Sequence, residues 1–237
     1  MTTTWIRRVS APLRIERSDE GLETLTVDGR AFAYQDVGAG PTVILAHGSG
    51  ASHRAWAPVV AALRDRYRVL TPDLLGYGRS EPSPVNARFH PWSDLGVLIA
   101  LVERVDAPVH LVGHSYGGAL TLEAARSLGA RVASLTLIDP VAFHLMRLHM
   151  SSHPERTAAV YRGITTPTRL IAGQASPSPA RAIVDELVYI LGNSHLRVLP
   201  GAGHMSPITH PAEIAALVAE HITGTHALSM EEERMIG

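Results

Sequence analysis

The sequence predicts an α/β fold in which a mostly parallel eight-stranded sheet carries helices on both faces and begins with an N-terminal β-hairpin. Three observations lead there. Short runs rich in valine, isoleucine and leucine recur at residues 42–46, 68–71, 109–112, 134–138, 169–172 and 196–199, the composition of strands buried on both faces. Helical patterns at 56–63, 92–105, 119–128, 180–191 and 212–222 fall between them, and such alternation builds crossover units on a parallel sheet. Ahead of these, residues 22–27 and 30–34 alternate apolar and polar side chains around Asp28-Gly29. Both turn residues tolerate positive φ, which favours a tight hairpin.

A chain of 237 residues with 46% apolar content suits one domain with a substantial core. The domain is expected over residues 1–223, with a short connection at 140–166 and a tail at 224–237 that is either loosely held or a short terminal helix. The 21 basic and 22 acidic side chains leave a formal charge of −1, so no global field favours nucleic acid or an anionic membrane. Cysteine and lysine are both absent, which removes disulfides, thiolate metal sites, a cysteine nucleophile and a Schiff-base or Ser-Lys lysine. The first eight residues lead into no apolar stretch of signal-peptide length, and no later segment is long and apolar enough to span a bilayer. A cytoplasmic protein is expected.

Chemistry is most legible at Gly113-His114-Ser115-Tyr116-Gly117, between the apolar run 109–112 and an alanine-rich helical stretch from Ala119. A serine on a tight strand-to-helix turn is a nucleophile elbow: the flanking glycines leave no room for a Cβ, and the hydroxyl points out above the sheet. A serine hydroxyl is a poor nucleophile at neutral pH, so it requires a base within hydrogen-bond reach and a third group to orient that base.

Four segments together, Leu45-Ala46-His47-Gly48-Ser49-Gly50, Pro72-Asp73-Leu74-Leu75-Gly76-Tyr77-Gly78-Arg79-Ser80, the elbow, and Gly201-Ala202-Gly203-His204, resemble the α/β-hydrolase family over residues 22–223. The resemblance implies that Ser115 is the nucleophile and that His204, in a glycine-flanked loop after the last strand, is the base. It also implies an oxyanion hole made by the backbone N–H groups of Ser49 and Tyr116. Many members carry the acid after the strand that ends here at Ile171-Ala172-Gly173, yet this chain has Ser176 in that place. Among Glu123, Asp139, Glu155, Asp185 and Glu186, which lie between nucleophile and base, only Asp139 ends an expected strand, and some related hydrolases use that position. Asp139 is therefore the expected acid, with a turn cap ahead of Pro140 as the structural alternative. Asp73 is assigned to the scaffold, His47 to support of the oxyanion loop, and His114 to packing or hydrogen bonding beneath the nucleophile.

Little room remains for a cap over the site, because residues 140–166 must also hold a crossover helix. Within that span Phe143 and Met146 belong to an apolar stretch suited to substrate contact or to core packing. Gly50, Phe143, Met146 and Met205 are the substrate-binding candidates. His144, His149 and His153 lack the surrounding carboxylates or cysteines of a metal centre, and no metal or organic cofactor is expected. The resulting expectation is a serine hydrolase acting on a small or medium carboxylic ester through an acyl-enzyme. Carbon–carbon, thioester, lactone or perhydrolysis chemistry uses the same residues, and a ligand-binding receptor with little turnover is a non-enzymatic alternative. A small-molecule substrate is the expected partner, and the oligomeric state is left open.

Overall fold

The structure is a computed structural model and describes residues 16–17, 21–83, 91–141 and 160–236. The strands are β1 (Glu16–Arg17), β2 (Glu23–Val27), β3 (Arg30–Val37), β4 (Thr42–Ala46), β5 (Arg68–Pro72), β6 (Val109–His114), β7 (Val132–Ile138), β8 (Thr168–Gly173) and β9 (Ser194–Leu199). The helices, numbered in chain order, are α1 (Ala57–Leu63), α2 (Pro91–Glu103), α3 (Tyr116–Leu128), α4 (Ser178–Ile190), α5 (Ser206–Thr209) and α6 (Pro211–Ile236).

One sheet contains all nine strands in the order β1-β2-β3-β5-β4-β6-β7-β8-β9. The eight expected strands are β2 to β9. The ninth, β1, is a two-residue edge pairing Glu16 with Thr24 and Arg17 with Glu23, too short to show as a period in the sequence. Strands β1 to β3 and the β3–β5 pair are antiparallel, and every pair from β5 through β9 is parallel. The hairpin closes at Val27↔Arg30, with Asp28 at φ 49° and Gly29 at φ 76°, the two positive angles that a type I′ turn demands.

Strand alternation sorts the core into two layers. Ile44 and Ala46 of β4 join a cluster with Leu98 and Leu101 of α2, Leu120 and Ala124 of α3, and Leu187 of α4. Val43 and Leu45 turn to the opposite face and meet Val59 and Leu63 of α1 with Ile214 and Val218 of α6. Residues 224–236, for which a loose end or a short terminal helix was expected, continue α6. Ala227, Leu228, Met230, Glu231, Glu232 and Glu233 are strong helix formers that let the helix run on past Gly224.

Strand order fixes where a site can form. From β4 the chain moves to β5 on one side and then crosses to β6 on the other. The crevice beyond the carboxyl ends of β4 and β6 is a topological switch point, where open α/β sheets hold ligands.

Candidate active site

Ser115 follows β6 directly and has φ 53° and ψ −117°, a conformation that a side chain-bearing residue holds only when its surroundings impose it. Those surroundings are visible. A Cβ on Gly113 would lie 2.3 Å from Thr121 Oγ1, and one on Gly117 would lie 2.2 Å from the Ala46 carbonyl oxygen. The turn is therefore wedged between β4 and α3. Gly117→Ala is expected to destabilise the fold by about 3 kcal/mol through this backbone clash, seen as a lowered denaturation midpoint. A midpoint equal to wild type would show that the elbow has slack.

The elbow brings the Ser115 hydroxyl 3.0 Å from His204 Nε2. His204 comes from the loop between β9 and α5, so two residues 89 apart in sequence meet within hydrogen-bond reach. Behind the imidazole, His204 Nδ1 lies 3.9 Å from Asp139 Oδ2. That is ion-pair range, about 1 Å longer than a hydrogen bond, and His204 Nδ1 and Asp139 Oδ1 have no hydrogen-bond partner among the described residues.

Asp139 is fully buried at the end of β7 with φ 40°. Its Oδ2 accepts a 2.6 Å hydrogen bond from the Ser176 hydroxyl, and the Gly173 backbone N–H faces it as well. Burial pushes its pKa above the ordinary carboxylate range, against the opposing pull of Ser176, His204 and Gly173. The serine at the alternative acid position is thus a hydrogen-bond donor to the carboxylate on the neighbouring strand. The parallel pairing of Ile138 with Ile171 places the two strand ends side by side.

His114 lies against the loop that carries His204. Its Nε2–H donates to the His204 carbonyl at 2.7 Å, and the two rings have centroids 5.0 Å apart. Burial, with further contributions from His204 and His47, lowers its pKa to about 4 despite the hydrogen bond to the His204 carbonyl. A folded pKa below the unfolded value of about 6.5 means that this group's stabilisation is present above pH 6.5 and is lost as pH falls through about 4. Wild type is expected to lose on the order of 5 °C more melting temperature than His114→Gln between pH 7 and pH 4. Parallel slopes in thermal melts would remove His114 from this role.

His47 is likewise held neutral. Its Nδ1–H donates to the Gly48 carbonyl at 2.8 Å, while Nε2 accepts the Leu74 backbone N–H at 3.0 Å. This clasp joins the loop after β4 to the turn after β5. Asp73 anchors the same turn from below, accepting backbone N–H groups of His53 and Arg79 at 2.7 and 2.8 Å and pairing with His53 Nδ1 at 2.9 Å. Burial raises its pKa, but these bonds outweigh burial and hold the carboxyl below its ordinary range. Gly78 is required beside it, since a Cβ there would fall 2.0 Å from Asp73 Oδ2.

A cavity of about 100 Å³ opens over the elbow, walled by the loop after β4, by Trp56, by Ser115 and His204, and by Met205, Pro207 and Ile208. Of the expected site residues, Ser49, Ser115, His204 and Met205 share this wall. Gly50 does not. Its φ of 75° turns the chain between Ser49 and Ala51, and the role it fills is that of a bend. Tyr116 stands outside the wall as the first residue of α3, where helix N-termini favour negative charge. Its phenol donates to Asp94 Oδ2 at 2.9 Å. Phe143, Met146, Glu155 and the three histidines between them lie outside the described residues. Ala51, Ala55, Trp56, Pro207 and Ile208 were not foreseen as wall residues, because spacing alone does not show which loops converge.

A switch-point crevice, an elbow serine and a histidine in contact with it define the α/β-hydrolase architecture. The chain belongs to the alpha/beta hydrolase family, whose profile matches residues 43–163. A pimeloyl-[acyl-carrier protein] methyl ester esterase of Methylococcus capsulatus is 45% identical over 101 residues, covering 43% of this chain and 37% of that protein. A 2-hydroxy-6-oxo-2,4-heptadienoate hydrolase of Pseudomonas putida is 41% identical over 113 residues, covering 45% and 40%. The matched stretches span less than half the length of these curated relatives. Among solved structures, a lipase-like protein from Acinetobacter baumannii superposes with a TM-score of 0.75 at 19% identity, covering 91% of this chain and 92% of that one. A meta-cleavage product hydrolase from Pseudomonas fluorescens gives 0.71 at 20% identity, covering 85% and 97%. These structural likenesses show the fold. Among the described residues no helix is long and apolar enough to cross a membrane.

Proposed function

We propose that the protein is a serine hydrolase that cleaves a small or medium carboxylic ester through an acyl-enzyme. The observation that carries this reading is the 3.0 Å contact between Ser115 Oγ and His204 Nε2, with Asp139 behind the imidazole. His204 Nε2 takes the hydroxyl proton as Ser115 Oγ attacks the ester carbonyl, and returns it to the departing alcohol. The backbone N–H groups of Ser49 and Tyr116 receive the oxyanion, the second at a helix N-terminus. Asp139 holds the imidazole in the Nδ1–H tautomer and offsets the charge of the imidazolium. Water then repeats the sequence on the acyl-enzyme.

Apart from His204, His47 and His114, the described wall carries no ionisable side chain other than the serines, which suits an uncharged ester with a short apolar chain. The methyl ester esterase among the relatives supports ester chemistry. The dienoate hydrolase supports a second reading, carbon–carbon bond hydrolysis by the same residues. Steady-state assays of p-nitrophenyl and methyl esters beside a vinylogous diketone separate the two. The ester reading expects turnover of esters, abolished in Ser115→Ala. Turnover of the diketone alone would overturn it.

A further inference from the structure

Asp94 lies in the first turn of α2 and is only 4% exposed. An acid at that position commonly serves the N-terminus of its own helix. Here the bonds that the carboxylate makes among the described residues lead elsewhere. Oδ1 accepts the Leu75 backbone N–H at 2.7 Å, and Oδ2 accepts the Tyr116 phenol at 2.9 Å. Burial raises the Asp94 pKa above the ordinary carboxylate range, against the pull of those two bonds. A buried carboxylate costs stability that an apolar side chain of similar size would not, so packing alone does not account for it.

Its two partners lead to the two expected oxyanion donors. Tyr116 follows the nucleophile, and its phenol and its backbone N–H leave the same residue. Ser115 is held at φ 53° before it, and Gly117 lies close against the Ala46 carbonyl after it. The phenol bond adds a fixed point outside the elbow. Leu75 belongs to the turn after β5, where the neighbouring Leu74 N–H donates to His47 Nε2 at 3.0 Å. His47 Nδ1–H in turn donates to the Gly48 carbonyl. That carbonyl shares a planar peptide unit with the Ser49 N–H, and in a trans unit the two point in opposite directions, so a bond to one aims the other. A chain of hydrogen bonds thus runs from Gly48 and Ser49 through His47, Leu74-Leu75 and Asp94 to Tyr116.

We propose that Asp94 is a positioning residue for the oxyanion hole, holding the Tyr116 backbone N–H in register with the Ser49 N–H through the Tyr116 phenol and the turn at Leu74-Leu75. This rests on the serine hydrolase reading above and on its assignment of those two donors. Donors fixed before charge develops stabilise an oxyanion more than donors that must first turn toward it. Small misplacements of catalytic groups also cost rate steeply.

The experiment compares p-nitrophenyl acetate with its thiono analogue, in which sulfur replaces the carbonyl oxygen. Sulfur is a weak hydrogen-bond acceptor, so the thionoester draws little on the oxyanion donors. The ratio of kcat/KM, oxygen over sulfur, therefore reads the hole, while a general loss of active protein or a disturbed triad cancels. Asp94→Leu and Tyr116→Phe are each expected to lower that ratio about tenfold, mainly through kcat. The double variant is expected to fall no further than Asp94→Leu alone, because the two side chains act as one unit. Asp94→Asn is expected to keep the ratio within about threefold of wild type, since its amide oxygen accepts the Leu75 N–H and its NH₂ donates to the phenol oxygen.

An unchanged ratio in Tyr116→Phe would overturn the proposal, as would losses that add in the double variant or an Asp94→Asn ratio as low as that of Asp94→Leu. Tyr116→Phe lacks one hydroxyl only, so it decides even where Asp94→Leu does not fold. If wild type turns over neither ester, the serine hydrolase reading falls and this proposal with it. If wild type turns over the esters and the ratios do not move, only the role of Asp94 falls.

Discussion

Replacing Ser115 by alanine is expected to lower kcat on an activated ester by at least about 10⁴-fold, with the melting temperature held close to wild type. The size follows from chemistry. In the proposed mechanism, removing the hydroxyl removes the atom that forms the acyl-enzyme, while the loop after β4 and the N-terminus of α3 remain to bind and polarise the carbonyl. Near-constant stability follows from the backbone. Alanine keeps the Cβ, so the strain at φ 53° is unchanged, and the hydrogen bond lost to His204 is worth about 1 kcal/mol. Kinetics and a thermal melt on the same preparation check both parts. Activity within tenfold of wild type would mean that Ser115 is a turn residue and that chemistry occurs elsewhere.

Asp139→Asn is expected to lower kcat by about 10³- to 10⁴-fold and to leave the fold as stable as wild type or more so at pH 7. Asparagine is nearly isosteric, tolerates the φ of 40°, and still accepts the Ser176 hydroxyl, but it carries no charge to orient His204 or to offset an imidazolium. The stability part depends on sign. Burial raises the folded pKa of Asp139, so the folded state holds this proton more tightly than the unfolded chain does. Its contribution to stability is fully present below the unfolded value, about 3.9, and is lost as pH rises through the folded value. At neutral pH the ionised side chain therefore weakens the fold, and neutralising it removes that burden. Activity lost on the acid side from protonation of Asp139 sets in at a higher pH than for an ordinary carboxylate.

Adding Ser176→Asp to Asp139→Asn tests the geometry further. Ser176 Oγ lies 2.6 Å from Asp139 Oδ2, so a carboxylate at position 176 supplies charge beside the same imidazole and is expected to recover at least about tenfold of the lost activity. Wild-type turnover in Asp139→Asn alone would reduce the aspartate to the turn cap that Pro140 allows.

The sequence revealed what local physics controls. The elbow was legible because two glycines on either side of a serine, between a β-branched run and a helix, satisfy a steric demand that few other sequences meet. The buried parallel strands and the Asp28-Gly29 turn announced themselves by composition over a few residues. His204 was legible through its glycine-flanked loop and the family resemblance, and the geometry puts it on Ser115. Less visible was everything that depends on which loops converge. The bond from Ser176 to Asp139 requires that β7 and β8 be neighbours with their ends level, and the sequence showed only a serine where relatives carry an acid. His114 was expected to pack or hydrogen-bond beneath the nucleophile, and its partner, the His204 carbonyl 90 residues away, is visible only in the fold. Trp56 read as the start of a helix, and its place on the wall follows from how α5 meets the 3₁₀ turn His53–Trp56. Gly50, a substrate-binding candidate, turns the chain at φ 75° and is not among the residues that wall the cavity.

An activated serine is the central claim, and the most direct measurement treats the intact protein with a fluorophosphonate and maps the adduct by mass spectrometry, with Ser115→Ala as the control. The account predicts one adduct, on Ser115, absent from the variant and formed far more slowly in Asp139→Asn. Labelling at another residue, or none on a folded protein, would contradict it.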